Sequence, residues 1–294
     1  MISLIIVGEK PYDILMKKLK SYITNGDASV KCLIASDATV DIKDIPVYEI
    51  TEIKDIVGQD DYLVVSDEAA NYIEQGTFDE SHIIRARVII NFVGFDLNDY
   101  IKLKKRGISI ISDTCWGGMV YHALGMQFTS PLINTSVAKS DFLMLIGNLK
   151  YYFSCEMEKY SERDAYTPPI GILDGKVKIM FNHYLDFEEG KRMWEKRISR
   201  VDYNNIFIQT NADLTDYDIK QFDNCPYNKK AFSRIPKKNK DIVYLSQYES
   251  SEVRIATGEF TGYIQNIIQS RPLYPRPIDL LKMLNLEDEF IRIY

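Results

Sequence analysis

The chain has 294 residues, of which 46% are hydrophobic and 27% charged, with a net charge of −6. That is enough apolar material for about two packed domains of roughly 150 residues each. The acidic balance gives no basic field to draw in nucleic acid or an anionic membrane surface. The four cysteines, Cys32, Cys115, Cys155 and Cys225, are widely spaced, with no CxxC and no Cys/His cluster. This excludes a disulfide scaffold and a zinc site, and points to a reducing, cytoplasmic setting. No metal or cofactor is expected, and oligomeric state is not legible.

Residues 2–7 are an apolar run that reads as a first strand, too short for a spanning helix and without the basic start of a signal peptide. Residues 12–22 place Leu15, Leu19 and Tyr22 at helical spacing. Residues 31–35 and 62–65 read as strands, 67–75 as a short helix and 88–93 as another strand. Residues 96–106 form a helix stopped by Gly107. The alternation predicts a doubly wound, mostly parallel sheet, Rossmann-like, over residues 1–107. After the first strand comes Gly8-Glu9-Lys10-Pro11, not GxGxxG. The close backbone approach to a pyrophosphate is therefore missing, and the domain reads as degenerate.

The second domain, residues 108–294, opens on the apolar strand 108–112 and then Asp113-Thr114-Cys115-Trp116-Gly117-Gly118. A helix follows. Cys115 thus sits at a strand-to-helix turn, where free N–H groups and the helix dipole favour negative charge. From Thr114 to Ala138 no residue carries a formal charge, which suggests a buried or pocket-lining segment. Residues 141–153 read as one helix and 156–167 as a loose charged segment. Asp174-Gly175 between two apolar runs predicts a hairpin, its second arm running through Phe181-Asn182-His183-Tyr184. Residues 187–201 form a helix with Asp186 as N-cap. Strands are expected at 205–209, 231–235 and 242–245, with a helix at 214–222. A proline-rich break at 271–277 precedes a last helix, 278–284. The fold class is α/β: two Rossmann-like domains with mostly parallel sheets, the second carrying an antiparallel hairpin.

Ligands of open α/β sheets bind at the carboxyl ends of the strands. The polar residues there are Asp113, Thr114 and Cys115, then His183, then Asn211 and Asp213, then Ser246. If the strands are parallel neighbours, these groups share one mouth. Cysteine as nucleophile, histidine as base and Asp213 orienting the imidazole is a known logic of covalent catalysis. Each residue also has a plainer reading. Cys115 fits a small buried hydrophobe, His183 a core histidine, Asp213 a helix cap, and Trp116 and Gly117 the shape of the turn. On the helix 187–201, Lys191, Arg192, Lys196, Arg197 and Arg200 form a solvated face paired with Glu188, Glu189 and Glu195, or an anion clamp. Arg197 and Arg200 are the best clamp candidates.

Several strings occur together in order: Cys115-Trp116-Gly117-Gly118, Ser130-Pro131-Leu132-Ile133, Pro169-Ile170-Gly171-Ile172, Phe181-Asn182-His183-Tyr184, Trp194-Glu195-Lys196-Arg197 with Arg200, and Asn205-Ile206-Phe207. Over residues 108–250 the chain resembles an uncharacterised bacterial family, a domain of unknown function with a Cys-Trp-Gly-Gly motif often labelled an exopolysaccharide biosynthesis protein. The resemblance implies a link to polysaccharide assembly. It puts Cys115, Trp116, His183, Tyr184, Trp194, Arg197 and Arg200 in the motif blocks. The expected function is a transferase-type enzyme acting on a carbohydrate or nucleotide-sugar ligand. The alternatives are a non-catalytic sugar- or phosphate-binding module and a Cys-dependent hydrolase.

Overall fold

The computed structural model describes residues 1–8, 12–36, 44–73, 77–92, 94–160, 168–211, 213–233, 235–244 and 278–290. Ser246, the proline-rich stretch 271–277 and most of the loose segment 156–167 lie outside the described residues. Two compact units divide the chain. The first holds Met1–Arg106, Ala123–Met126 and, from the far end of the chain, Asp279–Phe290. The second holds Gly107–His122 and the described residues of Gln127–Ile278.

In the first unit five strands are all parallel: β1 (Ile2–Val7), β2 (Ala28–Ala35), β3 (Val47–Glu49), β4 (Asp61–Val65) and β5 (Ile83–Arg85). Their order is β3-β2-β1-β4-β5, as the alternating pattern predicts. Helices α1 (Tyr12–Thr24), α2 (Ile53–Ile56), α3 (Ala86–Asn91) and α4 (Leu97–Arg106) accompany them. Where a strand was expected at 88–93, the described residues 88–92 do not form one. Ala86–Asn91 is helical, and the edge position in the sheet is taken by Ile83–Arg85. A short β-branched run fits a buried helix as well as a strand, and the tertiary slot decides. Among the described residues of the expected helix at 67–75, Ala69–Tyr72 form a 3-10 turn. Gly107 takes φ +69°, the left-handed stop expected after α4.

The second unit has a parallel sheet and an antiparallel one. β6 (Ser109–Ser112), β10 (Ile206–Thr210), β11 (Asn228–Ser233) and β12 (Ile242–Tyr244) run parallel in the order β12-β11-β10-β6. β7 (Met157–Lys159), β8 (Ile170–Leu173) and β9 (Val177–Met180) form the antiparallel sheet. Asp174 and Gly175 both take positive φ, 50° and 61°, and Lys176 N donates to Leu173 O at 3.0 Å, closing the expected hairpin. The hairpin strand ends at Met180, short of His183, and it is not a parallel neighbour of β6 or β10. The described helices here are α5 (Trp116–Ala123), α6 (Lys139–Gly147), α7 (Leu149–Ser154), α8 (Phe187–Ile198) and α9 (Asp216–Asp223). The single helix expected at 141–153 is broken at Asn148, which leaves helical geometry at φ −145°, ψ 55° behind Gly147. In the first unit, α10 (Leu280–Leu284) comes from the segment Asp279–Phe290.

One apolar core joins the two sheets of the second unit. Ile111 and Ile208 of the parallel sheet share it with Val177, Ile179 and Phe181 of the hairpin and with Phe187 and Trp194 of α8. Asp186 caps α8 as expected, accepting from Glu189 N at 2.8 Å. Gly190 sits directly over the Phe181 ring: a Cβ there would lie 2.6 Å from Phe181 Cγ. Phe181 is buried and opens the turn that carries His183. Among the described residues no helix is long and apolar enough to cross a membrane.

Gly190→Ala is therefore expected to destabilise the protein. Overpacking costs about 1–3 kcal/mol, against which the helix-propensity gain of roughly 1 kcal/mol is a partial offset. Urea unfolding measures the net effect, and a gain in stability would contradict the close packing of α8 on Phe181.

Candidate functional site

The turn after β6 is clamped from below. Tyr121 Oη on α5 accepts from Ile110 N at 2.7 Å and donates to Ile108 O at 3.2 Å. Gly117 lets the helix lie close on the strand, since a Cβ would sit 3.2 Å from Ile110 Cγ2. Trp116 is 1% exposed and packs edge-on against Phe232 at 5.8 Å, so its indole works in the core. With both flanks fixed, Cys115 stands at the N-terminus of α5, and its carbonyl accepts from Met119 N at 3.0 Å.

His183 reaches the same place from another sheet. Residues 134–137 form a strap between the two. Ser136 and Met180 exchange backbone hydrogen bonds of 2.9 Å, which ties the strap to the end of β9. Val137 N donates to Asp113 O at 2.9 Å, which ties it to the turn before Cys115. His183 N donates to Asn134 O at 3.4 Å. The result is a separation of 3.8 Å between Cys115 Sγ and His183 Nε2. Cys115 is half-buried and His183 exposed, so the pair opens to solvent.

Below the pair lies a buried polar network at the carboxyl ends of β6 and β10. Ser112 Oγ donates to Gln209 Oε1 at 2.9 Å, and Gln209 Nε2 donates to Asn211 Oδ1 at 2.7 Å. Asn211 Nδ2 donates to Thr114 Oγ1 at 3.0 Å. Thr210 Oγ1 donates to Asp113 Oδ2 at 2.5 Å, and Asn211 N to Asp113 Oδ1 at 3.4 Å. Asp113, Thr114 and Asn211 thus come together, Thr114 being the residue before Cys115. Asp113 is 5% exposed. Burial pushes its carboxyl up to about 7, with the Thr210 and Asn211 donors pulling the other way. Burial also raises the Cys115 thiol.

The remaining candidates divide. Arg197 is 6% exposed, and its Nη1 donates to Tyr184 Oη and, at 3.4 Å, to Ile133 O. Tyr184 Oη in turn donates to Ile133 O at 2.8 Å. Arg197 also lies over the Phe128 ring at 5.5 Å. Its guanidinium thus anchors Tyr184, the residue after His183. Arg200 Nη1 donates to Phe128 O at 3.4 Å. Asp213 lies on the β11 side of β10, where its Oδ1 accepts from Ser233 Oγ at 3.2 Å. The N-cap of α9 is Thr215, not Asp213. Among the described residues His183 meets no carboxylate, and no three His, Cys, Asp or Glu side chains gather to hold a metal. Lys191 pairs with Glu156 at 3.5 Å.

Sequence reasoning missed Ser112, Gln209, Thr210 and the strap. The charge-free stretch 114–138 is the signal that contains the strap, and Asn134 at φ 62° marks its bend.

With this geometry in place, comparison with known proteins places the chain in a family. A model described as "Domain of unknown function (DUF1919)" matches residues 87–269. The chain belongs to that family. An "Uncharacterized protein" of Haemophilus influenzae is 31% identical over 166 residues, which cover 55% of this chain and 79% of that protein. The matched span contains both Cys115 and His183.

Asp113 makes stability depend on pH. Its carboxyl is raised from 3.8 to about 7. Between those values the unfolded chain has lost this proton and the folded one keeps it. The stabilising share is full below about pH 4 and is lost as pH rises to about 7. Asp113→Asn is neutral throughout, so urea midpoints across this window are expected to fall less steeply than in the wild type. An unchanged slope would mean that the buried carboxyl is already ionised.

Proposed function

We propose that this protein is a transferase-type enzyme of cell-surface polysaccharide biosynthesis, acting on a carbohydrate or its activated donor through a covalent step at Cys115. The observation that carries the reading is the 3.8 Å approach of His183 Nε2 to Cys115 Sγ at the N-terminus of α5. A thiol, an imidazole and a helix N-terminus together supply a nucleophile, its base and a stabilised negative charge. The carbohydrate link rests on the resemblance of the ordered motifs to a family often labelled for exopolysaccharide biosynthesis. Burial raises the thiol, which disfavours the thiolate, and His183 takes the proton as sulfur attacks. Arg197 acts through Tyr184, keeping the turn that carries His183 in place. Asp113, Thr114 and Asn211 hold the floor of the site, and this cytoplasmic reading needs no metal.

Iodoacetamide tests the dyad directly. Cys115 is expected to alkylate in the native protein, where Cys32 and Cys225 are buried and Cys155 is half-buried, so peptide mapping follows Cys115 apart from Cys155. At neutral pH, His183→Ala is expected to slow the reaction by roughly 10²-fold, the low end of general-base catalysis. In the alkaline range, where the thiol ionises unaided, the two rates are expected to converge. Equal rates at neutral pH would remove His183 as the base. An inert Cys115 in natively folded protein would leave a non-catalytic binding module.

A further inference from the structure

We propose that the group carried on Cys115 is an acyl group, taken from an ester or thioester, and that the backbone N–H groups of Gly117 and Gly118 hold the oxyanion. This deepens the Cys115–His183 reading and rests on it. The first amide of α5 with a backbone acceptor is Met119 N, and Trp116 N donates to Thr114 Oγ1 at 3.4 Å. Among the described residues, Gly117 N and Gly118 N donate to no acceptor. First-turn amides point out of a helix N-terminus, the end at which Cys115 stands. A nucleophile, its base and two vacant donors therefore meet at one place.

That combination selects the electrophile. Two N–H donors beside an attacking sulfur match a carbonyl, whose oxygen becomes negative as the carbon becomes tetrahedral. A glycosyl centre develops positive charge and calls for a carboxylate. The carboxyl nearest in sequence, Asp113, is buried against Thr210 and Asn211. A phosphoryl group calls for cations. Arg197 is engaged by Tyr184 and Ile133 O, and Arg200 by Phe128 O. The two glycines also differ. Gly117 is required by packing on Ile110. At Gly118 a Cβ would meet Ile133 at an ordinary 3.5 Å, so packing does not exclude a side chain there.

The steps balance without redox chemistry. His183 Nε2 takes the thiol proton as Cys115 Sγ bonds to the carbonyl carbon. The C=O pair moves to oxygen, where Gly117 N and Gly118 N donate to it. On collapse the bond to the leaving alkoxide or thiolate breaks, and His183 returns the proton to it, leaving a thioester on Cys115. An acceptor hydroxyl, on a sugar if the polysaccharide link holds, then gives its proton to His183 and attacks the thioester. The Cys115 sulfur departs and is reprotonated by His183.

The experiment uses the full chain and the acetyl thioester of N-acetylcysteamine as acyl donor, with iodoacetamide in parallel. Peptide mapping follows the acetyl group on Cys115. Gly118→Ala keeps the N–H and is the reference that measures what a side chain at this position costs. Gly118→Pro removes it in the first turn, where the N–H has no intrahelical acceptor to lose. Acylation of that variant is expected to fall by about 10²–10³-fold, as when one oxyanion donor is removed. Alkylation, which forms no oxyanion, is expected to hold in both variants. If Cys115 alkylates selectively in the wild type but takes no acetyl group, the acyl assignment is overturned and the nucleophile survives. Equal acylation of the Ala and Pro variants overturns the oxyanion role. If Cys115 does neither reaction in folded wild type, the dyad itself falls. The wild-type arm decides even if Gly118→Pro fails to fold.

Discussion

The geometry of the second unit depends on one strap of main chain, residues 134–137. It is hydrogen-bonded on one side to Asp113 O and on the other to both polar groups of Met180. Each such bond contributes only about 1 kcal/mol net. Their effect is larger than that figure suggests, because they join two sheets with no ladder in common. In the parallel sheet β6 ends at Ser112, one residue before Asp113, and the hairpin ends at Met180. Three residues beyond each fastening, or fewer, stand Cys115 and His183. Without the strap, nothing in the order of the strands brings a thiol and an imidazole together.

Packing around the strap is of two kinds. The apolar kind fixes the supports: α5 lies against β6 through Gly117, and α8 lies against Phe181 through Gly190. The polar kind fixes the floor, with Ser112, Gln209, Asn211 and Thr114 in a buried chain and Asp113 held by Thr210. Buried polar groups are costly unless paired, so a network of this length at the ends of β6 and β10 specifies one arrangement of the turn. The Arg197 guanidinium does the same for the turn beyond Phe181. Cys115 and His183 sit beside this network, half-buried and exposed respectively.

Much of the fold was legible in the residues because local chemistry and tertiary context agree. The alternation of strands and helices gives the parallel sheets, Asp174-Gly175 gives the hairpin, and Asp186 gives the start of α8. Where the two disagree, pattern misleads. Val88, Ile89 and Ile90 suit a strand, yet the sheet edge is filled by Ile83–Arg85 and the run folds as helix. The pairing of Cys115 with His183 was anticipated for an incomplete reason. A shared mouth was expected if the strands were parallel neighbours, but the hairpin lies in a separate sheet and the strap makes the connection. Residues 134–137 carry no charge and no periodicity, so no sequence pattern reveals their role. Burial of a side chain is equally silent: the basic face of α8 does not disclose that Arg197 turns inward to Tyr184.

The central claim is that the thiol of Cys115 and the imidazole of His183 face each other across one mouth in the folded protein. The short bifunctional reagent 1,3-dibromoacetone tests it most directly, since it alkylates a thiol and then reaches only a nucleophile close by. Peptide mapping of the treated native protein is expected to find the peptides of Cys115 and His183 joined, and His183→Ala is expected to leave single attachment at Cys115. Single attachment in the wild type, or a bridge from Cys115 to a different residue, would contradict the account.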